Sequence, residues 1–320
     1  MREIFKAGDR AQLTGPKGKM NTIVLEPGGK LGTRKGDILH DQIIGIPSGS
    51  VIENRNGDRY LVLKPLLADY VLSMPRGAQI IYPKDAAQIV VEGDIFPGAT
   101  VIEAGVGSGA LSSYLLRAIG EKGQLHSFEL REEFAQIAKA NVENFLGAQP
   151  KNWTVHLGKL QDELPKSLKP KSADRAILDM LAPWECIAEV HKALRPGGVL
   201  VVYVATVTQL SRTVEQIRAL GGFTDPNAFE TTVRPWHLEG LAVRPEHRMI
   251  GHTGFLMTAR RLADDTQLPD FRTRRVNKAE FSEADMDTWL PEAMGVRPIG
   301  EKKLRKTVRK VTSETDKRKN

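Results

Sequence analysis

A glycine-rich stretch, residues 101–112, contains the residue types and the spacing best suited to hold a ligand. A strand-like apolar run ends there in an acid, Glu103, and a turn of small residues leads directly into a helix-like apolar segment. The residues of this turn and of the first helical positions are Gly105, Gly107, Ser108, Gly109, Ala110 and Leu111. A strand that turns through glycines into a helix brings a ligand close to bare backbone and to the first N–H groups of the helix.

A second acid follows one strand-and-helix unit later. Residues 124–128 form another strand-like run that ends at Glu129, where βαβ nucleotide-binding units hold ribose hydroxyls. The two acids and the glycine turn predict a site for a nucleoside-containing cofactor rather than a turn that only packs the fold. The glycines alone do not identify that cofactor, because Gly105, Gly107 and Ala110 also satisfy the NAD-binding fingerprint.

Three features favour S-adenosylmethionine over NAD. The Glu103 carboxylate stands two residues before the first glycine, where it can accept hydrogen bonds from an ammonium group, which NAD lacks. Glycines at every second position form a tighter turn than a dinucleotide needs. A later strand-like run ends in Asp179 and is followed by a Pro183-Trp184 corner, so one carboxylate is expected beside the reacting group.

Composition limits the classes of protein to which this chain can belong. Its 320 residues suggest about two domains. A single cysteine, Cys186, excludes an intramolecular disulfide and a cysteine-rich metal site, and the histidines lack the paired spacing of metal ligands. The N-terminus is charged from its second residue and is unlike a secretory signal, and no apolar run approaches the ~20 residues that span a bilayer. We therefore expect a soluble cytoplasmic protein without a bound metal or a membrane contact.

Residues 1–75 have the pattern of a small β domain. Glycine-rich turns, among them the hairpin-type pair Asn56-Gly57, separate four strand-like runs: 22–25, 42–46, 50–52 and 60–63. A helix-like segment, residues 66–74, leads out of this domain. Cations in turns at 17–19 and 34–36 could reach phosphates, although charged turns are usually only solvated.

Residues 76–262 alternate between strand-like and helix-like segments, the pattern of a parallel sheet covered by helices on both faces. The predicted strands are 100–104, 124–129, 153–157, 175–180 and 198–204. The clearest predicted helices are 132–146 and 184–194. Two later segments, 223–233 and 251–260, are expected to pair as an antiparallel hairpin at the edge of the sheet, separated by a loop. The predicted fold class is α/β: a doubly wound, Rossmann-like sheet with a small N-terminal β domain.

The last predicted segment, residues 263–320, is basic, and its end, residues 300–320, lacks aromatic side chains. Residues 300–320 contain nine Lys or Arg and three Asp or Glu, and so carry six of the seven net positive charges. This composition predicts a disordered tail. Such a tail could be an electrostatic arm for phosphates or a solubilising extension, and composition favours neither.

Four segments, in this order along the chain, match the motifs of one known family. They are MPRGAQIIYPKD (74–85), EAGVGSG (103–109), LDMLAPW (178–184) and VYVATVTQ (202–209). Many methyltransferases share the glycine turn, whereas the Tyr-Pro-Lys-Asp and Asp-Met-x-x-Pro-Trp segments are more specific. On these segments, residues 8–260 resemble the bacterial tRNA (adenine-58-N1)-methyltransferases, which are relatives of the catalytic subunit of the eukaryotic enzyme.

The resemblance implies an activity, partners and a set of site residues. It implies methyl transfer from S-adenosylmethionine to N1 of adenine 58 in the T-loop of tRNA, an RNA-handling N-terminal domain and a homotetramer. Asp179 matches the catalytic residue, which stabilises the positive charge that develops on the adenine, while Tyr82 and Tyr203 match positions that line the adenine pocket. The positions expected to contact the cofactor are Gln79, Ile80, Glu103, Gly105, Gly107, Ser108, Gly109, Ala110, Leu111, Glu129, Phe134, Lys159, Leu160 and Asp179.

One position departs from the family pattern. After the third strand the family usually has an aspartate that contacts the amino group of the cofactor's adenine, but this chain has Lys159. A lysine cannot accept that hydrogen bond, so backbone groups or Asp162 would have to replace it.

Other functions remain open from the sequence. A non-catalytic RNA-binding subunit of the same fold would not need the glycine turn and the strand-end acid, and this chain has both. A dehydrogenase would need a hydride-transfer pocket and room for a second nucleotide, and no motif marks either. A methyltransferase that acts on another substrate would keep every feature described above.

Overall fold

The computed structural model describes residues 4–34, 36–269 and 301–319. Near its N-terminus the chain forms an antiparallel sheet of order β2-β1-β6-β5, and a hairpin of β3 and β4 contributes to the same core. Along β6 buried and exposed residues alternate, so Tyr60 and Val62 face that core. The strands are β1 (Arg10–Thr14), β2 (Met20–Val24), β3 (Lys30–Thr33), β4 (Gly36–Leu39), β5 (Ser50–Glu53) and β6 (Arg59–Leu63).

The sequence predicts the hairpin of β5 and β6 correctly and one strand incorrectly. In the hairpin turn, the Asn54 side chain accepts hydrogen bonds from the N–H groups of Asn56 and Asp58. Residues 42–46 do not form the predicted strand, because the N–H groups at positions 43 and 44 both donate to the His40 carbonyl and close a helical turn. The isoleucines of that turn still pack on the core, and this explains the strand-like pattern.

The α/β domain is built on a seven-stranded sheet of order β12-β15-β11-β10-β7-β8-β9, in which β7 to β11 are parallel. Its strands are β7 (Thr100–Ala104), β8 (Gln124–Glu129), β9 (Trp153–Leu157), β10 (Ala173–Asp179), β11 (Leu194–Val204), β12 (Asn227–Phe229) and β15 (Phe255–Arg260). Its helices are α1 (Leu67–Ser73), α2 (Pro83–Glu92), α3 (Ala110–Ile119), α4 (Glu132–Leu146), α5 (Leu160–Ser167), α6 (Ile187–Ala193) and α7 (Val207–Leu220).

Helices cover both faces of this sheet. Helices α2, α3 and α4 pack on one face, where Leu115 and Val142 are fully buried. Helices α5, α6 and α7 pack on the other face, where Leu164 and Ile187 are buried. The central strands are therefore apolar on both sides, and residues 199–204 are buried without interruption. The predicted doubly wound sheet is confirmed.

The strand order reverses beside β7. From β7 the chain continues outward through β8 and β9, and it then returns to β10 and β11 on the other side of β7. Ligands of open α/β sheets bind outside the carboxyl ends of the strands at such a reversal. The crevice in this protein lies between the ends of β7 and β10, at Ala104 and Asp179.

The strands at the antiparallel edge of the sheet pair as the sequence predicts. Strand β15 pairs with both β11 and β12, so segments 223–233 and 251–260 meet as predicted. The connection between them, predicted as a loop, contains a further hairpin of β13 (Trp236–Glu239) and β14 (Ala242–Pro245). Four apolar side chains of this hairpin are exposed: Trp236, Leu238, Leu241 and Val243.

Residues 301–319 are helical, which corrects the prediction of a disordered tail for this part. The helix α8 (Glu301–Lys319) lies against α4, and Val311 is buried with Phe134 and Ile137. The prediction of disorder relied on the basic composition of this segment. It overlooked a short apolar stripe that lies on one face of the helix. The remainder of the predicted tail between 270 and 300 lies outside the described residues. Neither α8 nor any other helix of the described residues is long and apolar enough to cross a membrane.

Candidate active site

A cavity of about 370 Å³ opens at the carboxyl edge of the sheet, in the crevice between β7 and β10. The residues that line it are Ala78, Gln79, Ile80, Gly105, Gly107, Glu129, Arg131, Asp179, Met180, Leu181, Tyr203, Val204, Ala205, Gln209 and Thr253. Seven predicted site residues are thereby brought together: Gln79, Ile80, Gly105, Gly107, Glu129, Asp179 and Tyr203.

The glycine turn is fixed by a close approach that a side chain would prevent. Gly105 has a φ of 82°, and a Cβ atom there would lie 1.7 Å from the carbonyl oxygen of Asp179. Gly107 has a φ of 54°, and its N–H donates to the Glu129 carboxylate over 3.2 Å. The turn therefore presses against the end of β10 and presents bare backbone to the cavity.

Glu129 is held at the cavity wall by backbone donors. One carboxylate oxygen accepts from the N–H of Gly107, and the other accepts from the N–H of Arg131 over 3.0 Å. Arg131 also lines the cavity, and its guanidinium lies over the Phe134 ring, 3.8 Å from the ring centre, with its Nε 3.8 Å from the Glu129 carboxylate. A carboxylate fixed in this way keeps lone pairs available for the hydroxyls of a ribose.

Glu103 lies beneath the glycine turn and is not among the cavity-lining residues. Its carboxylate is fully buried and accepts hydrogen bonds from the hydroxyls of Ser112, at 2.8 and 3.0 Å, and Ser127, at 2.5 Å. Burial raises the pKa of this carboxyl to about 7, although the two serine hydrogen bonds act in the opposite direction. The sequence predicts a bond from Glu103 to an ammonium group; in the structure this carboxylate anchors α3 and β8 under the turn.

Asp179 ends β10 at the floor of the cavity and is half-buried. It lies in register with Tyr203 on the neighbouring strand β11. Burial is the main cause that raises the pKa of its carboxyl to about 7, and the charges of Glu103 and Glu129 contribute to the same rise. Among the residues that line this space, two carboxyl groups (Glu129 and Asp179) outnumber one cation (Arg131), and this balance favours a cationic ligand.

The two predicted pocket tyrosines are placed differently. The Tyr203 hydroxyl donates to the Thr253 carbonyl over 2.8 Å, and burial together with the Asp85 charge raises its pKa, so it stays protonated. Tyr82 immediately precedes α2 and is partly buried, close enough to Tyr203 to influence its pKa. Tyr82 is not among the cavity-lining residues, so its contact with a base stays a prediction.

A buried ion pair joins the start of α2 to the antiparallel edge of the sheet. The Lys84 ammonium contacts the Asp85 carboxylate at 2.7 Å. It also donates to the Thr253 hydroxyl at 2.6 Å and to the Thr231 carbonyl at 2.7 Å. The Thr253 hydroxyl in turn donates to the second Asp85 oxygen over 2.6 Å. Since the carbonyl of the same threonine accepts from Tyr203, this network fixes the position of that tyrosine in the cavity.

Residues 75–80 form one wall of the cavity, and we call this segment the lip. The Ser108 hydroxyl accepts hydrogen bonds from two N–H groups of the lip, at 3.2 and 3.4 Å. The Asn141 side chain donates to a lip carbonyl and to the Ser108 carbonyl, both over 2.9 Å. The lip is therefore tied to the glycine turn and to α4, and these bonds place Gln79 and Ile80 at the cavity.

The other predicted cofactor residues lie outside the cavity lining. Gly109 has a φ of 78°, and a Cβ atom there would lie 2.9 Å from the Ala138 carbonyl oxygen, so this glycine allows α3 to approach α4. Lys159 is exposed just before α5. Four are buried in hydrophobic clusters: Ala110, Leu111, Phe134 and Leu160. Direct contact of these residues with a cofactor stays a prediction.

Three polar residues that line the cavity were missed as site residues from the sequence: Arg131, Gln209 and Thr253. Gln209 has a signal, since it closes the VYVATVTQ segment, and its side chain donates to the Leu181 carbonyl over 2.9 Å. Arg131 could also have been found from the sequence, because it follows Glu129, the acid that ends β8, by two residues. Thr253 has none, because only the pairing of β15 with β11 brings it to the cavity.

The chain is similar to known proteins along most of its length. The profile of the family described as "tRNA methyltransferase complex GCD14 subunit" matches residues 60–244, and a profile described as "TrmI-like N-terminal" matches residues 4–52. The tRNA (adenine(58)-N(1))-methyltransferase TrmI of Thermus thermophilus is 34% identical over 247 residues, which are 77% of this chain and 94% of that protein.

Two solved structures have the same fold. The tRNA (m1A58) methyltransferase TrmI of Aquifex aeolicus matches with a TM-score of 0.72 and 29% identity over 82% of this chain and 100% of that chain. A SAM-dependent O-methyltransferase of Thermotoga maritima matches with a TM-score of 0.76 and 29% identity over 82% of this chain and 96% of that chain.

The doubly wound sheet, with its cavity beside a glycine turn, defines the class of this protein as a Rossmann-like methyltransferase. More narrowly, the extent of the two profile matches and the identity to the Thermus relative place the chain in one family. It belongs to the tRNA methyltransferase family of GCD14 and TrmI.

Replacing Lys84 by methionine should destabilise the protein. The Asp85 carboxylate, whose side chain is 1% exposed, would remain in the interior without its cation, at a cost of about 3–5 kcal/mol in the free energy of unfolding. Urea unfolding measures this loss. The double variant Lys84→Met, Asp85→Asn should recover part of it, because no buried charge then lacks a partner. A single variant as stable as the parent would show that the ion pair does not hold this region.

The affinity of the cavity for a sulfonium cation, measured with S-adenosylmethionine as the probe, should rise with pH and level off above about 7, the pKa of Asp179 in the free protein. A cationic ligand favours the ionised carboxylate, so affinity gains up to about tenfold per pH unit below that pKa. Glu103→Gln removes a charge that raises the pKa of Asp179, so the rise should move to lower pH. Titration calorimetry at several pH values measures both profiles, and identical profiles would disprove the coupling of these carboxyls.

Proposed function

We propose that this protein transfers a methyl group from S-adenosylmethionine to N1 of adenine 58 in the T-loop of tRNA, which gives 1-methyladenosine. The observation that carries the proposal is the register of β10 and β11, which sets Asp179 beside Tyr203 at a cavity that begins at the glycine turn. Both residues lie in segments that resemble the motifs of tRNA methyltransferases, and the name of the Thermus thermophilus relative states this activity.

The donor set of the cavity fits S-adenosylmethionine. Gly105 and Gly107 offer bare backbone for a close approach, and Glu129 offers a fixed acceptor for ribose hydroxyls. The negative charges of Glu103, Glu129 and Asp179 suit a ligand that carries sulfonium and ammonium groups. When bound, this cofactor supplies an electrophilic methyl group.

The protein has to position adenine rather than activate it. Adenine N1 carries a lone pair, so no base has to remove a proton from it before it attacks. The ring becomes positively charged, and Asp179 stabilises that charge by accepting a hydrogen bond from the N6 amino group. The pKa of about 7 in the free protein falls when a cationic ligand binds, so the carboxylate is charged during the reaction.

Tyr203 and Tyr82 hold the adenine ring in this proposal. A base that is methylated at its Watson–Crick edge has to leave its stack, and aromatic side chains replace the lost stacking. Tyr203 is suited to this because its hydroxyl is bonded to Thr253 and its ring packs against Gly254, which leaves little freedom of rotation. Tyr82 contributes from the start of α2.

The N-terminal β domain contributes RNA contacts in this proposal. Lys17 and Lys19 are exposed in the turn between β1 and β2, and Arg34 is exposed after β3. Cations in exposed turns can approach phosphates without distorting the sheet.

Asp179→Ala should lower the rate of methyl transfer by about 100-fold or more, because the charge on the adenine would lose its counter-charge. The protein should stay folded, since the carboxylate is at the cavity rather than in the core. Single-turnover formation of 1-methyladenosine in unmodified tRNA, detected by mass spectrometry, measures the rate. Glu121→Ala is the matched control, because Glu121 is exposed between α3 and β8, at the amino edge of the sheet, and lies outside the cavity lining. A variant at position 179 with the parental rate, or a product methylated on oxygen, would refute the proposal.

We also propose that the protein assembles as a homotetramer. The exposed apolar side chains of the β13–β14 hairpin support this, since a cluster of this kind on a soluble protein marks a contact surface. Leu238 is 73% exposed and Val243 is 58% exposed in the single chain.

The double variant Leu238→Asp, Val243→Asp should reduce the assembly to smaller species, because aspartates do not fit an apolar interface. Sedimentation velocity measures the mass of the parent and the variant. Val91→Asp is the control, since Val91 is 66% exposed on α2 and lies far along the chain from the hairpin. A parent that sediments as a monomer would rule out the tetramer.

A further inference from the structure

One face of α8 is apolar and already occupied. Leu304, Val308 and Val311 recur at intervals of four and three residues, so they share one side of the helix. They pack in a cluster with Phe134 of α4 and Ala78 of the lip. Val311 is buried and the other two are partly buried, so this side of α8 faces the protein.

The opposite face is basic. Each residue of the apolar stripe is preceded, two positions earlier, by a cation: Lys302, Lys306 or Arg309. Two residues correspond to about half a revolution of a helix, so these cations lie opposite the stripe. These three side chains are exposed and, together with Arg305, line one surface depression. No residue between 302 and 313 is acidic.

The basic face belongs to a helix that touches the wall of the cavity. The Thr307 hydroxyl donates to the Arg76 carbonyl of the lip over 3.4 Å, and residues of the same lip line the cavity. The family profiles match residues 4–52 and 60–244, so α8 lies beyond the segments that define the family.

We propose that the outward face of α8 binds the phosphate backbone of the RNA whose adenine enters the cavity. The proposal rests on the proposed function for the identity of that RNA. From position 302 to position 309 the helix rises about 10 Å, a length over which a nucleic-acid duplex presents several phosphates. Phosphates bound there would orient the RNA relative to the cavity without reading its sequence.

An anionic membrane is the other surface that a basic helix could meet. A helix that binds in a membrane interface inserts its apolar face among the lipids. In this protein α4 and the lip cover that face of α8. The geometry therefore favours RNA, which requires only the exposed cations.

The test compares two full-length triple variants that lose the same charge. Lys302→Gln, Lys306→Gln, Arg309→Gln removes the basic face of α8. Lys122→Gln, Lys151→Gln, Lys169→Gln removes three exposed cations that precede β8, β9 and β10, at the amino edge of the sheet and away from the cavity. The affinity for an unmodified tRNA transcript is measured at several salt concentrations, with the affinity for S-adenosylmethionine alone as a check of the folded site.

In the α8 variant the slope of log affinity against log salt should become shallower by about 2–3. The reason is that binding releases about one counterion fewer for each phosphate contact that is lost. Its affinity for tRNA should fall by about tenfold or more, and its affinity for S-adenosylmethionine should not change. The control variant should retain the parental slope.

An unchanged slope in the α8 variant, or equal changes in both variants, would overturn the proposal. Binding of the parent to phosphatidylserine vesicles that the α8 variant loses, with tRNA affinity unchanged, would assign the face to a membrane and also overturn it. If the slope changes as expected but the parent forms no 1-methyladenosine, the proposed function fails while the RNA-binding face stands.

Discussion

The contact between the glycine turn and the end of β10 is the constraint on which the rest of the site depends. The backbone at Gly105 passes so close to the Asp179 carbonyl that a Cβ atom would lie 1.7 Å away. Contact of backbone with backbone cannot be relieved by a change of rotamer. The position of the glycine turn relative to the end of β10 is therefore fixed. The acid on β8, the tyrosine on β11 and the lip are all arranged around this junction.

The site separates the residues that set its electrostatics from those that contact the cavity. Glu103 lies under the turn, fully buried, and acts through its charge and its serine bonds. Asp179 and Glu129 stand at the cavity itself. On the opposite side, the Lys84 ammonium is paired with the Asp85 carboxylate, so the positive charge of this lysine is neutralised by its partner. Of the charged residues that line the cavity, Glu129 and Asp179 outnumber Arg131, so the lining carries more acidic than basic groups.

Much of the fold is predictable because its signals are local. Apolar runs mark the central strands β10 and β11, and the acids that end β8 and β10 fall at the carboxyl edge, as Glu129 and Asp179 do. The burial of Glu103 was not predictable, because it depends on serines from two other elements. Thr253 was missed for the same reason, since a strand that pairs far along the sequence brings it to the site. Helix α8 was missed because its composition is that of a solvated segment, and only contact with α4 explains its apolar stripe.

The bond between Thr307 and Arg76 joins residues that are 231 positions apart in the chain. At ordinary rates of protein synthesis, roughly 10–50 s separate the appearance of these two residues. During that interval the strands around the cavity can already be complete, while Phe134 still lacks the side chain that covers it. Helix α8 begins at residue 301, after the last strand of the sheet has ended at residue 260. One wall of the cavity therefore gains a contact that is synthesised after every strand of the sheet.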